Sequence, residues 1–131
     1  MPQPYHHKNT SVSLVNYHLV FCPKRRKKVL VDRVKARLEA LVQEKAGELG
    51  CAVLELAVRP DHVHLFISCP PTWAPQQVVR RIKGYTSRAL RQEFPYLKRL
   101  PSLWTRSYFV TSAGNVSSET IARYIEEQDR R

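Results

Sequence analysis

The stretch CAVLELAVRPDHVHLFISC, residues 51–69, constrains the fold more than any other part of the chain. Two runs rich in Val, Leu, Ile and Phe flank a Pro-Asp pair. Proline fixes φ and aspartate bonds back to nearby backbone, so the pair favours a tight turn. The spacing predicts two antiparallel strands, residues 51–60 and 62–69, joined as a hairpin. Alternation in the second run places Val63, Leu65 and Ile67 on one face and His62, His64 and Phe66 on the other.

The flanking segments complete an α+β pattern. Residues 11–22, SVSLVNYHLVFC, suit a long strand closed by Pro23. Over residues 32–49, Val34, Leu38, Leu41, Val42 and Leu49 recur at helical spacing, with Asp32 as the expected N-cap and Gly50 just past the end. After the breaker PPTWAP, residues 76–94 predict a second helix with Val78, Val79, Ile82, Thr86 and Leu90 inward and Arg80, Arg81, Lys83, Arg88 and Arg91 outward. Residues 103–112, LWTRSYFVTS, read as a last strand, and residues 117–128 as a short helix capped by Ser117 or Ser118. The order β-α-β-β-α-β is that of a ferredoxin-like (RRM-like) sandwich, an antiparallel sheet with helices on one face, here followed by a C-terminal helix. The other sheet face is expected to be free to bind, and residues 1–131 form one domain.

Charge narrows the partner. Lys and Arg total 22 against 11 Asp and Glu, a net charge of +11, and an excess of this size attracts polyanions. The positives gather in PKRRKK (23–28), RRIKGYTSRALRQ (80–92) and YLKRL (96–100), largely without interspersed acids. Neither long basic stretch opposes a broad aromatic or Leu face, which disfavours a membrane surface. No apolar run approaches the roughly 18 residues of a span, and the N-terminus MPQPYHHKNT lacks the apolar core of an export signal. Cys22, Cys51 and Cys69 are odd in number and widely spaced, so a cytoplasmic protein with reduced thiols is expected.

Two constellations carry chemistry. Neutral imidazoles at His62 and His64, a few ångströms apart on one face, make a bidentate site for a divalent metal; the alternative is a chance pair on a polar surface. Cys69 falls on the opposite face by parity, which argues against a zinc site. In the terminal helix Tyr124 and Gln128 are four apart, beside the apolar pair Ile121 and Ile125. Such a tyrosine commonly packs, yet together with a metal site, a basic surface and an amide able to serve as a third ligand it is a candidate nucleophile toward a phosphodiester.

PDHVHLFI resembles the HUH motif (His, bulky hydrophobic, His), and NVSSETIARYIEEQ is similar to the terminal tyrosine helix of the small single-tyrosine HUH transposases, the IS200-like TnpA type of bacterial and archaeal insertion sequences. NYHLVFCPKRRKKVL, RIKGYTSRALRQEFP and LWTRSYFVTSAGNVS resemble the family's first strand, second helix and last strand, so the likeness spans nearly the whole chain. Only Asp129, Arg130 and Arg131 follow Gln128, a departure from members with a longer tail. The resemblance implies an enzyme that cuts and rejoins single-stranded DNA at element ends, recognising imperfect hairpins. It further implies Mg²⁺ or Mn²⁺ on His62, His64 and Gln128, a 5′-phosphotyrosine on Tyr124, and a homodimer whose active sites are shared between chains. An edge strand needing cover and the Gly-, Asn- and Ser-rich SAGNVSS before the tyrosine helix agree with such a dimer. Lys24, Arg25, Arg26, Lys27 and Lys28, then Arg80, Lys83 and Arg88, are candidate phosphate contacts. Phe66, Trp73, Tyr85, Trp104 and Tyr108 are candidates to stack on bases, with core packing the alternative, favoured for Trp104. His6, His7 and His18 are assigned no role. The alternatives are a domesticated relative processing repeated genomic hairpins, a non-catalytic nucleic-acid-binding module, and a metal-dependent nuclease that hydrolyses without Tyr124.

Overall fold

Strands β1 (Val15–Phe21), β2 (Ala52–Arg59), β3 (His62–Cys69) and β4 (Phe109–Ser112) alternate with helices α1 (Asp32–Glu48) and α2 (Pro75–Glu93), and α3 (Ser118–Glu127) follows. This is a computed structural model that describes residues 14–112 and 118–128. Every pairing is antiparallel and the order across the sheet is β2-β3-β1-β4, the α+β sandwich expected. The hairpin turns through Pro60 and Asp61, with Arg59 opposite His62.

Strand parity sets the layers. Leu19 and Phe21 of β1 and Val63, Leu65, Ile67 and Cys69 of β3 are fully buried against Val34, Leu38, Leu41 and Val42 of α1 and Val78, Val79, Ile82 and Leu90 of α2. Fully burying each side chain of this size stabilises by about 1.5–3 kcal/mol, which makes this layer the main source of stability. On the opposite face a second, smaller cluster forms from Val20, Cys22 and Ile125, with Phe109, Ile121 and Tyr124 against it. The sequence implied a face free to bind, whereas α3 covers its β1 and β4 side. Its 3.6-residue periodicity brings Ile121, Tyr124, Ile125 and Gln128 to one side, while Arg123, Glu126 and Glu127 stay exposed.

Several boundaries differ from the sequence reading. β1 begins at Val15, and residues 11–13 lie outside the described region, as do Ser117, His6 and His7. Asp32 is not the N-cap of α1: Val31 is, with no side-chain cap bond, and Asp32 enters the helix at φ +51°. Gly50 takes φ +75° just past the helix, which suits a residue without Cβ. The expected strand over residues 103–112 is split. Trp104 bridges to Pro23, and Phe109 pairs with Val20, so five residue steps on this side face three on the other. Two extra residues must bulge out between them. Lys83, expected to point outward, turns inward to this bulge: its Nζ donates to the carbonyls of Thr105 (2.6 Å) and Ser107 (3.1 Å). Carbonyls that have left the sheet ladder find their partner there. Arg91 is likewise half-buried and donates to the Leu100 carbonyl at 3.1 Å.

Candidate active site

Alternation on β3 lifts His62, His64 and Phe66 onto the open face, all half-buried. Each imidazole has a distinct neighbour. The Asp61 carboxylate, at the hairpin tip, accepts from His62 Nδ1 at 2.9 Å and also faces Arg26 Nε at 3.4 Å. A carboxylate on one ring nitrogen fixes the tautomer and leaves Nε2 with its lone pair outward, the arrangement that orients metal-binding histidines. His64 is held neutral, its pKa pushed below the ordinary imidazole value chiefly by burial, then by His18, with His62 adding to the effect and Glu55 opposing it.

His18 was assigned no role from sequence, yet the sheet brings it here. Paired with Phe66 across β1 and β3, it stacks on that ring at 4.4 Å between centroids, and its Nδ1 lies 3.3 Å from His64 Nε2. One ring N–H donates to the other ring's lone pair, so His18 and a metal ion would compete for the same nitrogen of His64. Strand parity applied to β1, combined with antiparallel pairing, is the signal that would have found it.

Tyr124 and Gln128 meet the bulge rather than the histidines. The Tyr124 hydroxyl is 3.1 Å from Ser107 Oγ, and the ring packs on Phe109 at 5.9 Å. Gln128, 1% exposed, accepts from Ser107 Oγ at 2.7 Å and Thr105 Oγ1 at 3.5 Å and donates to the Tyr124 carbonyl at 3.0 Å. Ser107 thus ties the Tyr124 phenol and the Gln128 amide together, and nothing in the local sequence marks it. Val20 is opposite His64 on one side and Phe109 on the other. His64 and Phe109, against which Tyr124 packs, therefore share one face about two strand spacings, roughly 10 Å, apart.

Two imidazoles, one neutral and one oriented, suit a divalent ion, although among the described residues no group of three or more His, Cys, Asp and Glu side chains could hold one. A third protein donor would have to be of another type; the Gln128 amide is one candidate, and in this chain it is engaged at the bulge. Of the basic candidates, Arg25, Lys27, Lys28, Arg80 and Arg88 are exposed, Lys24 and Arg26 half-buried, and Lys83 occupied by the bulge. Burial lowers the Lys83 ammonium to about 8, with the Cys22 charge opposing this. Among the aromatics, Trp104 belongs to the core, edge-on to Phe21 at 4.8 Å. Trp73 donates to the Leu49 carbonyl beneath Arg81, and Tyr85 bonds Glu44 beside Lys45.

The family model for transposases of the IS200-like type matches residues 11–128. The chain belongs to the IS200-like transposase family. Among curated relatives, this IS200-like transposase is 34% identical to the ISDra2 transposase TnpA of Deinococcus radiodurans over 117 residues, 87% of this chain and 84% of that protein. It is 27% identical to the IS200 transposase of Salmonella typhimurium over 115 residues, 86% and 75% of the two chains. A crystal structure of a candidate transposase from Deinococcus radiodurans superposes with a TM-score of 0.82 at 34% identity, covering 95% of this chain and 98% of that one. A REP-associated tyrosine transposase bound to a REP hairpin shares the fold, with a TM-score of 0.57 at 14% identity over 94% and 68% of the chains. Family membership implies an enzyme that cleaves and rejoins DNA.

Proposed function

We propose that this IS200-like transposase cuts and rejoins single-stranded DNA at insertion-sequence ends through a 5′-phosphotyrosine on Tyr124, recognising imperfect hairpins. The observation that carries the reading is the presence, on one sheet face, of an oriented and a neutral imidazole at His62 and His64 beside a helix that presents Tyr124 and Gln128. Its net charge of +11 and exposed Arg25, Lys27, Lys28, Arg80 and Arg88 supply the attraction for a phosphate backbone.

His62, His64 and Gln128 would hold Mg²⁺ or Mn²⁺, which when bound supplies Lewis-acid polarisation of the scissile phosphate. The chain's own residues do the rest. Asp61 keeps the His62 lone pair outward, and burial keeps His64 unprotonated at neutral pH. The Ser107 hydroxyl holds the Tyr124 phenol at the bulge before the site assembles. The phenol oxygen attacks phosphorus, a new O–P bond forms as the P–O3′ bond breaks, and the phenolic proton goes to the departing 3′ oxygen. A 3′-hydroxyl later attacks the phosphotyrosine in the reverse sense and restores the phenol, so the bond energy is conserved without a nucleotide cofactor.

A homodimer with shared sites is part of the same reading. What supports it is the geometry of one chain: Tyr124 packs on Phe109, two strands across the sheet from His64, and its hydroxyl meets Ser107 of the bulge, so a productive site asks for a shift of α3 or for the helix of a second copy. Sheet edges β2 and β4 offer places for a second copy to dock.

The test is cleavage of a labelled single strand carrying an imperfect hairpin. Activity should require Mg²⁺ or Mn²⁺, should vanish in His62→Ala and in His64→Ala, and binding should weaken steeply with salt. Full-rate cutting by chelator-treated protein would overturn the reading.

A further inference from the structure

Between α2 and the bulge lies a cleft of about 410 Å³, within the range of small-ligand pockets, that the transesterification does not use. Its α2 wall includes Arg80, Lys83, Gly84 and Ser87, spaced i, i+3, i+4 and i+7 and hence on one helix face; Arg106 and Tyr108 also line it. We infer that this cleft receives one unpaired nucleotide of the bound single strand, its base beside Tyr108 and its flanking phosphates at Arg80 and Arg106. The inference rests on the single-strand DNA reading above.

Three features support it. Arg80 and Arg106 are exposed at the cleft, and among the described residues neither guanidinium has an ion-pair partner. Lys83, its ammonium bound to bulge carbonyls and 5.8 Å from the Tyr108 ring centre, keeps the interior positive without filling it. Gly84 sits in the middle of α2, where glycine weakens a helix, and a Cβ built on it meets nothing within 4 Å. The space above it is open.

Position selects the occupant. The bulge forms one wall of the cleft and, through Ser107, touches Tyr124 and Gln128. Thr105 of the cleft wall also donates to Gln128, so the cleft adjoins the segment against which the tyrosine helix rests. A base in a duplex is held by its partner and its stacking neighbours and cannot enter; an unpaired one can turn in and stack.

Gly84→Leu is the sharpest variant, since it fills the cleft with a better helix former and meets no protein atom at its Cβ. Binding of a hairpin-bearing single strand should weaken about tenfold, on the scale of losing one stacked base, with a thermal midpoint no lower than wild type. Arg106→Ala should lower affinity in the same direction. The same strand carrying a single 5-iodo-2′-deoxyuridine, moved along its unpaired positions, should photo-cross-link to Tyr108 from one position only. Wild-type affinity in Gly84→Leu, or cross-links that never map to the cleft while the strand still binds, would overturn the cleft proposal and leave the single-strand reading standing. Failure of the wild-type protein to bind any single strand would overturn both.

Discussion

Removing the Ser107 hydroxyl should loosen the tyrosine helix by an amount the structure lets us work out. In Ser107→Ala the Gln128 carbonyl loses its 2.7 Å bond and keeps only Thr105 at 3.5 Å, at a site 1% exposed. Leaving a buried acceptor so poorly served costs about 1–3 kcal/mol. Gln128→Leu should cost less, since Ser107 Oγ still has the Tyr124 hydroxyl at 3.1 Å and Thr105 Oγ1 at 3.4 Å. Because both changes remove the same bond, the double variant should be less damaging than the two together, by about 0.5–3 kcal/mol of coupling. The cluster under α3 is small, with Val20, Cys22 and Ile125 as its buried members, so this helix should open without global unfolding. Amide hydrogen exchange at Ile125 and its neighbours is therefore the assay, and protection in Ser107→Ala should drop roughly 5- to 150-fold, at ~1.4 kcal/mol per tenfold. Unchanged protection, or additivity within about 0.3 kcal/mol, would refute the docking of α3 on the bulge.

Three further outcomes are expected. Asp61→Asn should weaken Mn²⁺ binding about 10- to 100-fold by releasing the His62 ring, and unchanged affinity would deny Asp61 its orienting part. His64 has a folded pKa below its unfolded value, so the unfolded chain takes up the proton first; stability should fall as pH drops through about 6.5 and level off below the folded pKa, more steeply in wild type than in His64→Gln. Parallel pH curves for the two proteins would contradict the burial of His64. If sites are shared, mixing Tyr124→Phe with a His62→Ala, His64→Ala double variant should restore one intact site per mixed dimer and put DNA on the His-deficient chain; demonstrated heterodimers without activity would place each site within one chain.

The hairpin was legible because a Pro-Asp turn between alternating runs leaves little else to form, and parity on β3 then separated the histidines from Val63, Leu65 and Ile67. The inward residues of α2 were legible for the same periodic reason. The bulge was not. LWTRSYFVTS has strand composition throughout, and composition cannot report that its two halves pair with β1 out of step. With the bulge went Ser107, Thr105 and the inward turn of Lys83, since a long basic side chain on an amphipathic helix reads as solvent-facing until its acceptors are known. Asp61 was read only as a turn residue and Arg26 only as a phosphate contact, because their mutual contact joins the hairpin tip to a segment far away in the chain.

The most direct test of the central claim is to incubate the protein with a single-stranded, hairpin-bearing element end and Mg²⁺, then map any covalent protein–DNA adduct by peptide mass spectrometry. The account predicts an adduct on Tyr124 through a 5′ phosphate, abolished in Tyr124→Phe while DNA binding stays near wild type. Cleavage that persists in Tyr124→Phe without an adduct would contradict it and assign the chemistry to water.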